Sequence, residues 1–164
     1  MLHIAGITMP VPEGWSVRAL PRLASGTSLC LTPPNPTMST ADPAHPACAG
    51  ITLAVADTAR DGTASTLPFA GAGSCPAGRP HTLTYDDQDI TVGGRRADLF
   101  TSSCGATPLG EYWQLTDESL SISAVCRWRS QAQVLADDID LTAWAHKPGP
   151  PTPATTPANT APGA

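Results

Sequence analysis

The apolar residues of this chain occur in short runs, and clusters of Gly, Pro, Asp and Ser separate one run from the next. The segment 51–56 shows the pattern well, because Ile51, Leu53 and Val55 stand at alternate positions. Side chains two residues apart lie on the same face of a β-strand, so this segment predicts a strand with one buried face. The other segments of this kind are 3–11, 28–32, 83–85, 90–92, 97–101, 111–115 and 120–128.

The segment 130–144 has a helical pattern instead. Ser130 with Gln133 three residues later is the arrangement of a capping box at a helix start. The residues at the spacing of an apolar helix stripe are Ala132, Leu135, Ala136 and Ile139. Strands followed by one helix predict an α+β fold, an antiparallel sheet with a C-terminal helix packed on it and long Gly/Pro-rich loops.

The chain is predicted to form one globular domain over residues 1–146, which is long enough to bury its own core. Residues 147–164 are rich in Pro, Thr and Ala and predict a disordered tail. No segment approaches the roughly 18 apolar residues of a transmembrane helix, so no membrane span is expected. The N-terminus lacks the basic and apolar regions of a signal peptide, which favours the cytoplasm by default.

Composition excludes several classes of function. A formal net charge of -5, with 14% charged residues, argues against nucleic acid as a partner. The chain has no G-x-S-x-G motif, no phosphate-binding loop and no dinucleotide fingerprint. We therefore expect no cofactor, and the absence of a catalytic motif favours a protein that is not an enzyme.

Five cysteines offer a disulfide framework. The simplest pairing joins Cys30 to Cys48 and Cys104 to Cys126, and it leaves Cys75 as a free thiol. Each bridge would close a loop of about 20 residues and stabilise the fold by roughly 3 kcal/mol. The alternative is five reduced thiols in a cytosolic protein, whereas paired cysteines favour an extracytoplasmic location.

Metal-binding and nucleophilic patterns are weak. No C-x-x-C or H-x-x-x-H spacing occurs, so no metal site is predicted. A reactive Cys75 near Arg79 and His81 would make the chain a hydrolase-type enzyme, although no motif supplies the base.

The turn Gly93-Gly94 followed by Arg95 and Arg96 suggests a binding surface, to which Trp113 could contribute an apolar contact. The alternative is a hairpin turn with charged strand starts, with the tryptophan as a core residue.

Three segments carry a family resemblance: MPVPEGW at 9–15, VGGRRADLF at 92–100 and YWQLTDESLSISAV at 112–125. With the closing amphipathic helix, they resemble the Mog1/PsbP-like group, which includes small actinobacterial envelope lipoproteins. The resemblance implies a helix packed on an antiparallel sheet, and binding of proteins or small apolar ligands rather than catalysis. The chain departs from the group in its cysteines, in the Gly/Pro-rich excursion 57–80 and in lacking a lipoprotein leader.

The sequence thus predicts a non-enzymatic binding or accessory module that acts through a protein partner or a small apolar ligand. One alternative is an immunity or chaperone-like protein for a secreted effector. The other is the hydrolase that uses Cys75. The oligomeric state is left open.

Overall fold

Antiparallel strands dominate the structure, a computed structural model that describes residues 1–21, 26–36, 48–57, 75 and 78–144. The strands are β1 Leu2–Ile4, β2 Ile7–Met9, β3 Ser16–Ala19, β4 Gly26–Thr32, β5 Ile51–Ala56, β6 His81–Asp86, β7 Thr91–Val92, β8 Arg95–Cys104, β9 Thr107–Leu115 and β10 Leu120–Val125. A 3-10 turn, Cys126–Trp128, leads directly into the helix α1, Arg129–Asp138.

The strands β3 to β10 form one sheet with the order β3-β4-β5-β10-β9-β8-β6, and β7 pairs with the start of β8. Strands account for 52% of the described residues and helices for 12%. The predicted α+β class is therefore wrong, and the fold is β-rich. The difference arises because β8 and β9 are ten and nine residues long, much longer than their apolar segments predict. The helix is also short, since Ile139 already has an extended backbone.

The hairpin of β1 and β2 lies outside the main sheet and closes one end of the core. Ala5 and Gly6 form its turn with φ of 49° and 85°, the left-handed values that a tight two-residue hairpin turn requires. Thr8 exchanges two backbone hydrogen bonds with Asp140, of 3.0 and 2.7 Å, so the hairpin is tied to the segment after α1. A Cβ at Gly6 would collide with the backbone carbonyl of Ala143, so the close approach requires glycine.

The main core lies between the sheet, the hairpin and α1. Its largest fully buried side chain is Trp113, in the second half of β9 and 1% exposed. The helix residues predicted to face the sheet are confirmed as buried: Ala132, Leu135, Ala136 and Ile139. The predicted capping box is not formed, because the N-cap is Trp128 and no side chain caps the helix there.

Two disulfides are present. Cys30 is bonded to Cys48 with a Cα–Cα distance of 5.5 Å, the pairing that the sequence predicts. Cys75 is bonded to Cys104, so the predicted bond between Cys104 and Cys126 is wrong. Because β9 separates β8 from β10, those two cysteines lie about two strand spacings apart, roughly 10 Å, beyond the reach of a disulfide. The free thiol is Cys126 rather than Cys75.

Two predictions concern residues that the structure does not describe. The tail 147–164 lies outside the described residues, and so does most of the excursion 57–80. In the ranges that are described, no helix is both long enough and apolar enough to cross a membrane.

Candidate ligand-binding groove

A cavity of about 310 Å³ opens between the start of α1, the segment that follows β2, and the strands β4 and β5. We call it the groove. Its walls are formed by Pro10, Val11, Pro12, Leu31, Ile51, Ser130, Gln131, Val134 and Leu135. Only Ser130 and Gln131 among these side chains are polar, so the groove fits an apolar body.

The local sequence explains why the groove is open. Pro10 and Pro12 have no backbone N–H and favour an extended chain, so this segment passes over the sheet instead of joining it as a strand. On the other wall, residues 130, 131, 134 and 135 recur at the three- and four-residue spacing of one helix side. Val134 is 53% exposed at the rim, which leaves the groove accessible.

A row of directly paired residues forms the floor and extends beyond it. Leu31 pairs with Ile51, Ile51 pairs with Ala124, and Ala124 pairs with Glu111. Paired residues on antiparallel strands share a face, so the carboxylate of Glu111 lies on the same side of the sheet as the groove floor. The small side chain of Ala124 stands between this carboxylate and the floor.

Glu111 is buried, and its carboxylate is only partly satisfied. Arg129 on α1 donates from Nε to Oε1 over 3.0 Å, and its side chain is 65% exposed while that of Glu111 is 5% exposed. The oxygen Oε2 is buried and has no hydrogen-bond partner among the described residues. Burial raises the pKa of Glu111, and the attraction of Arg129 lowers it by less.

The free thiol of Cys126 lies at the same end of the sheet. Partial burial raises the pKa of this thiol, and the negative charge of Glu111 raises it further, while Arg129 acts in the opposite direction. A thiol with a raised pKa is protonated at neutral pH and is a poor nucleophile. The arrangement therefore suits a structural cysteine rather than a catalytic one.

Two further buried polar atoms lie on the turn that enters α1 and on its first turn. Trp128 Nε1 and Gln131 Oε1 have no hydrogen-bond partner within the described chain. Trp128 is held by an edge-to-face contact with Trp15, with ring centroids 4.9 Å apart. Gln131 also lines the groove, so the cavity wall carries one unpaired acceptor, while the unpaired atoms of Glu111 and Trp128 lie beyond the lining. Such groups suit a ligand that carries a polar end on an apolar body.

The predicted surface of Arg95, Arg96 and Trp113 does not exist as one surface. Trp113 is buried in the core and unavailable for binding. Arg95 donates from Nη2 to the carbonyl of Leu141 over 3.1 Å, and its guanidinium lies 5.3 Å from the ring centre of Trp144. It therefore holds the segment after α1 in place, and Arg96 is the exposed member of the three.

The structure brings Cys75, Arg79 and His81 to the end of β8 but gives them no catalytic arrangement. Cys75 is held in its disulfide and has no thiolate to act as a nucleophile. Arg79 contacts Thr107 at 3.5 Å, and His81 Nε2 lies 2.8 Å from Ser102 Oγ. A hydrolase that uses Cys75 is not supported.

No family model, no curated protein and no solved structure matches this chain. The resemblance to the Mog1/PsbP-like group therefore stays a prediction.

Glu111, the buried acidic residue beyond the groove floor, is not among the site residues predicted from the sequence. Glu111 stands two residues before Trp113 and four before Leu115, so strand alternation already places it on the buried face. A charged residue at an inward position of an alternating strand is a signal for an ion pair or a ligand contact. The sequence gives no comparable signal for its partner Arg129, because Arg129 lies on α1 and meets Glu111 only in the folded structure.

Proposed function

We propose that this chain is a non-enzymatic binding module whose groove takes a small ligand with an apolar body and a hydrogen-bond donor at one end. A primary alcohol or a protonated alkylamine has this chemistry. The observation that carries the proposal is the floor row, which runs from Leu31 and Ile51 to the unpaired buried oxygen of Glu111. A carboxylate oxygen accepts hydrogen bonds, so a donor group would satisfy it, whereas a second carboxylate would be repelled.

Two features support binding over catalysis. The carboxylate of Glu111 is held in an ion pair with Arg129, and the nearby thiol of Cys126 has a raised pKa. The two disulfides fit a protein that works in an oxidising compartment, where a rigid binding scaffold benefits from covalent closure.

The test is calorimetric titration with three probes of equal chain length, n-octanol, n-octylamine and octanoate. We expect the alcohol and the amine to bind and octanoate to bind at least tenfold more weakly. Backbone amide shifts should move at the groove floor, at Leu31 and Ile51.

A matched pair of helix variants locates the site. Val134→Phe fills the rim of the groove, whereas Gln133→Phe places the same ring at an exposed neighbouring position that does not line it. Octanol binding should be lost in the first variant and kept in the second. Equal binding by both variants, or no binding of any probe to the unchanged protein, would refute the proposal.

A further inference from the structure

The strand β6 is an edge that nothing covers in the described part of the chain. All six of its residues are exposed, and it pairs on one side with β8. The carbonyl of Pro80 accepts a hydrogen bond from the N–H of Gly105, so residue 80 directs its backbone toward β8. Because this direction alternates along an antiparallel strand, Leu83 and Tyr85 direct their N–H and C=O groups outward.

The side chains of β6 extend an aromatic row to this free edge. The ring of Tyr85 lies 5.2 Å from that of Phe100, which in turn lies 6.1 Å from that of Tyr112. Leu83 and Tyr85 share a face of the strand and are 40% and 53% exposed. Free edges of this length are ordinarily protected by a lysine, a proline or a charge along the strand, whereas the one charged residue of β6 is its last, Asp86, and residues 82–85 contain none of these.

We propose that β6 is a dimerisation edge, on which β6 of a second copy of this chain pairs in antiparallel direction about a twofold axis at Thr84. This register places Leu83 opposite Tyr85 of the second copy, so the apolar face continues across the boundary. Both such pairs consist of residues with outward backbone groups and can exchange N–H···O bonds. A slip by one residue would instead join opposite faces of the two sheets.

The polar residues at the two ends of β6 are complementary, an imidazole at one end and carboxylates at the other, which favours a second copy as the occupant. The strand begins with His81 and ends with Asp86, which Asp87 follows. Antiparallel pairing brings the imidazole of each copy beside the acidic end of the other, at both ends of the interface. The two acidic ends then lie about 14 Å apart, roughly four residues along the strands, so their repulsion is largely screened at physiological salt.

Cysteine cross-linking tests the register directly, in a Cys126→Ser background that removes the free thiol. In the proposed register the two Thr84 residues face each other as a non-hydrogen-bonded pair with Cα atoms about 4.5 Å apart, within disulfide range. Thr84→Cys should therefore form a covalent dimer on mild oxidation. Thr82→Cys is the matched control, because Thr82 is exposed like Thr84. In the proposed register the two copies of Thr82 lie about 14 Å apart, so this variant should not cross-link.

Sedimentation velocity over a range of protein concentration measures the reversible dimer. A strand-edge interface is small, so we expect a weak dimer that Leu83→Lys weakens at least tenfold. Three results would overturn the proposal: a monomer at every concentration with no cross-link at position 84, equal cross-linking at positions 82 and 84, or a dimer that is unaffected by Leu83→Lys. The first would leave the edge to a strand of another protein.

Discussion

Replacing Arg129 by alanine should reveal the free energy that it costs to bury the carboxylate of Glu111. In Arg129→Ala the carboxylate of Glu111 stays on the inward face of β9 and loses the charged partner that the described residues give it. Two unit charges about 4 Å apart attract by roughly 1 kcal/mol in water and about 4 kcal/mol at an effective dielectric constant of 20. Because the side chain of Arg129 is 65% exposed, solvent screens the pair strongly, and we expect a loss of about 2 kcal/mol in unfolding free energy at neutral pH.

The loss of unfolding free energy in Arg129→Ala should grow as the pH rises. Burial raises the pKa of Glu111 in the folded protein above its ordinary value of 4.5, so the folded state binds this proton more tightly than the unfolded chain does. Ionisation of Glu111 therefore costs no stability well below pH 4.5, and the cost is complete above the folded pKa. Loss of Arg129 raises the folded pKa further, so the difference between variant and unchanged protein should be large at neutral pH and vanish in acid.

Urea unfolding from pH 3 to pH 7, followed by tryptophan fluorescence with the disulfides intact, measures both trends. The double variant Arg129→Ala with Glu111→Gln removes the charge and should recover most of the loss at neutral pH. Arg96→Ala, which removes an exposed cation far from the pair, should change stability by less than about 0.5 kcal/mol at any pH in this range. A loss in Arg129→Ala that is equal in acid and at neutral pH would refute the electrostatic account.

Three further predictions concern the backbone and the cysteines. Gly93→Ala should destabilise the protein by at least about 1 kcal/mol more than Gly94→Ala, measured by urea unfolding, because both have positive φ but a Cβ on Gly93 also meets backbone and side-chain atoms. Equal losses would contradict the crowding argument. Alkylation without reduction should label Cys126 alone, slowly at neutral pH and faster as the pH rises, as mass spectrometry would show; labelling of a second cysteine would contradict the disulfide assignment. Cys30→Ser should cost about 3 kcal/mol in unfolding free energy, since the bond to Cys48 closes a separation of 18 residues, and a loss below about 1 kcal/mol would argue against that bond.

The sequence pattern predicts local structure well and non-local pairing poorly. Alternation locates the buried strands, and the spacing of Ala132, Leu135 and Ala136 identifies the helix face, because both signals depend on neighbours along the chain. The second disulfide depends instead on strand order. Cys104 and Cys126 flank the same strand in sequence, yet that strand lies between them in the sheet.

The same limit applies to the candidate site. Arg95 and Arg96 are adjacent in sequence but have different roles, because one packs against Trp144 and the other is exposed to solvent. The inward position of Glu111 follows from alternation alone. Its location at the end of the row that begins on the groove floor follows from pairing across four strands, which no local pattern predicts.

The groove follows from a mismatch between the helix and the sheet. A ten-residue helix is about 15 Å long, whereas seven strands span six spacings, or roughly 29 Å. The helix starts near β9, where Arg129 meets Glu111, and its residues Ser130 and Gln131 line the groove above β4 and β5. Toward its other end the carbonyl of Ala136 accepts a hydrogen bond from Gly93 beside β8. It thus crosses the middle of the sheet and cannot reach both edges. The gap at its start, where Pro10 and Pro12 pass over the sheet, is the groove. A longer helix of the same composition would close this gap, so the shortness of α1 is what leaves the groove open.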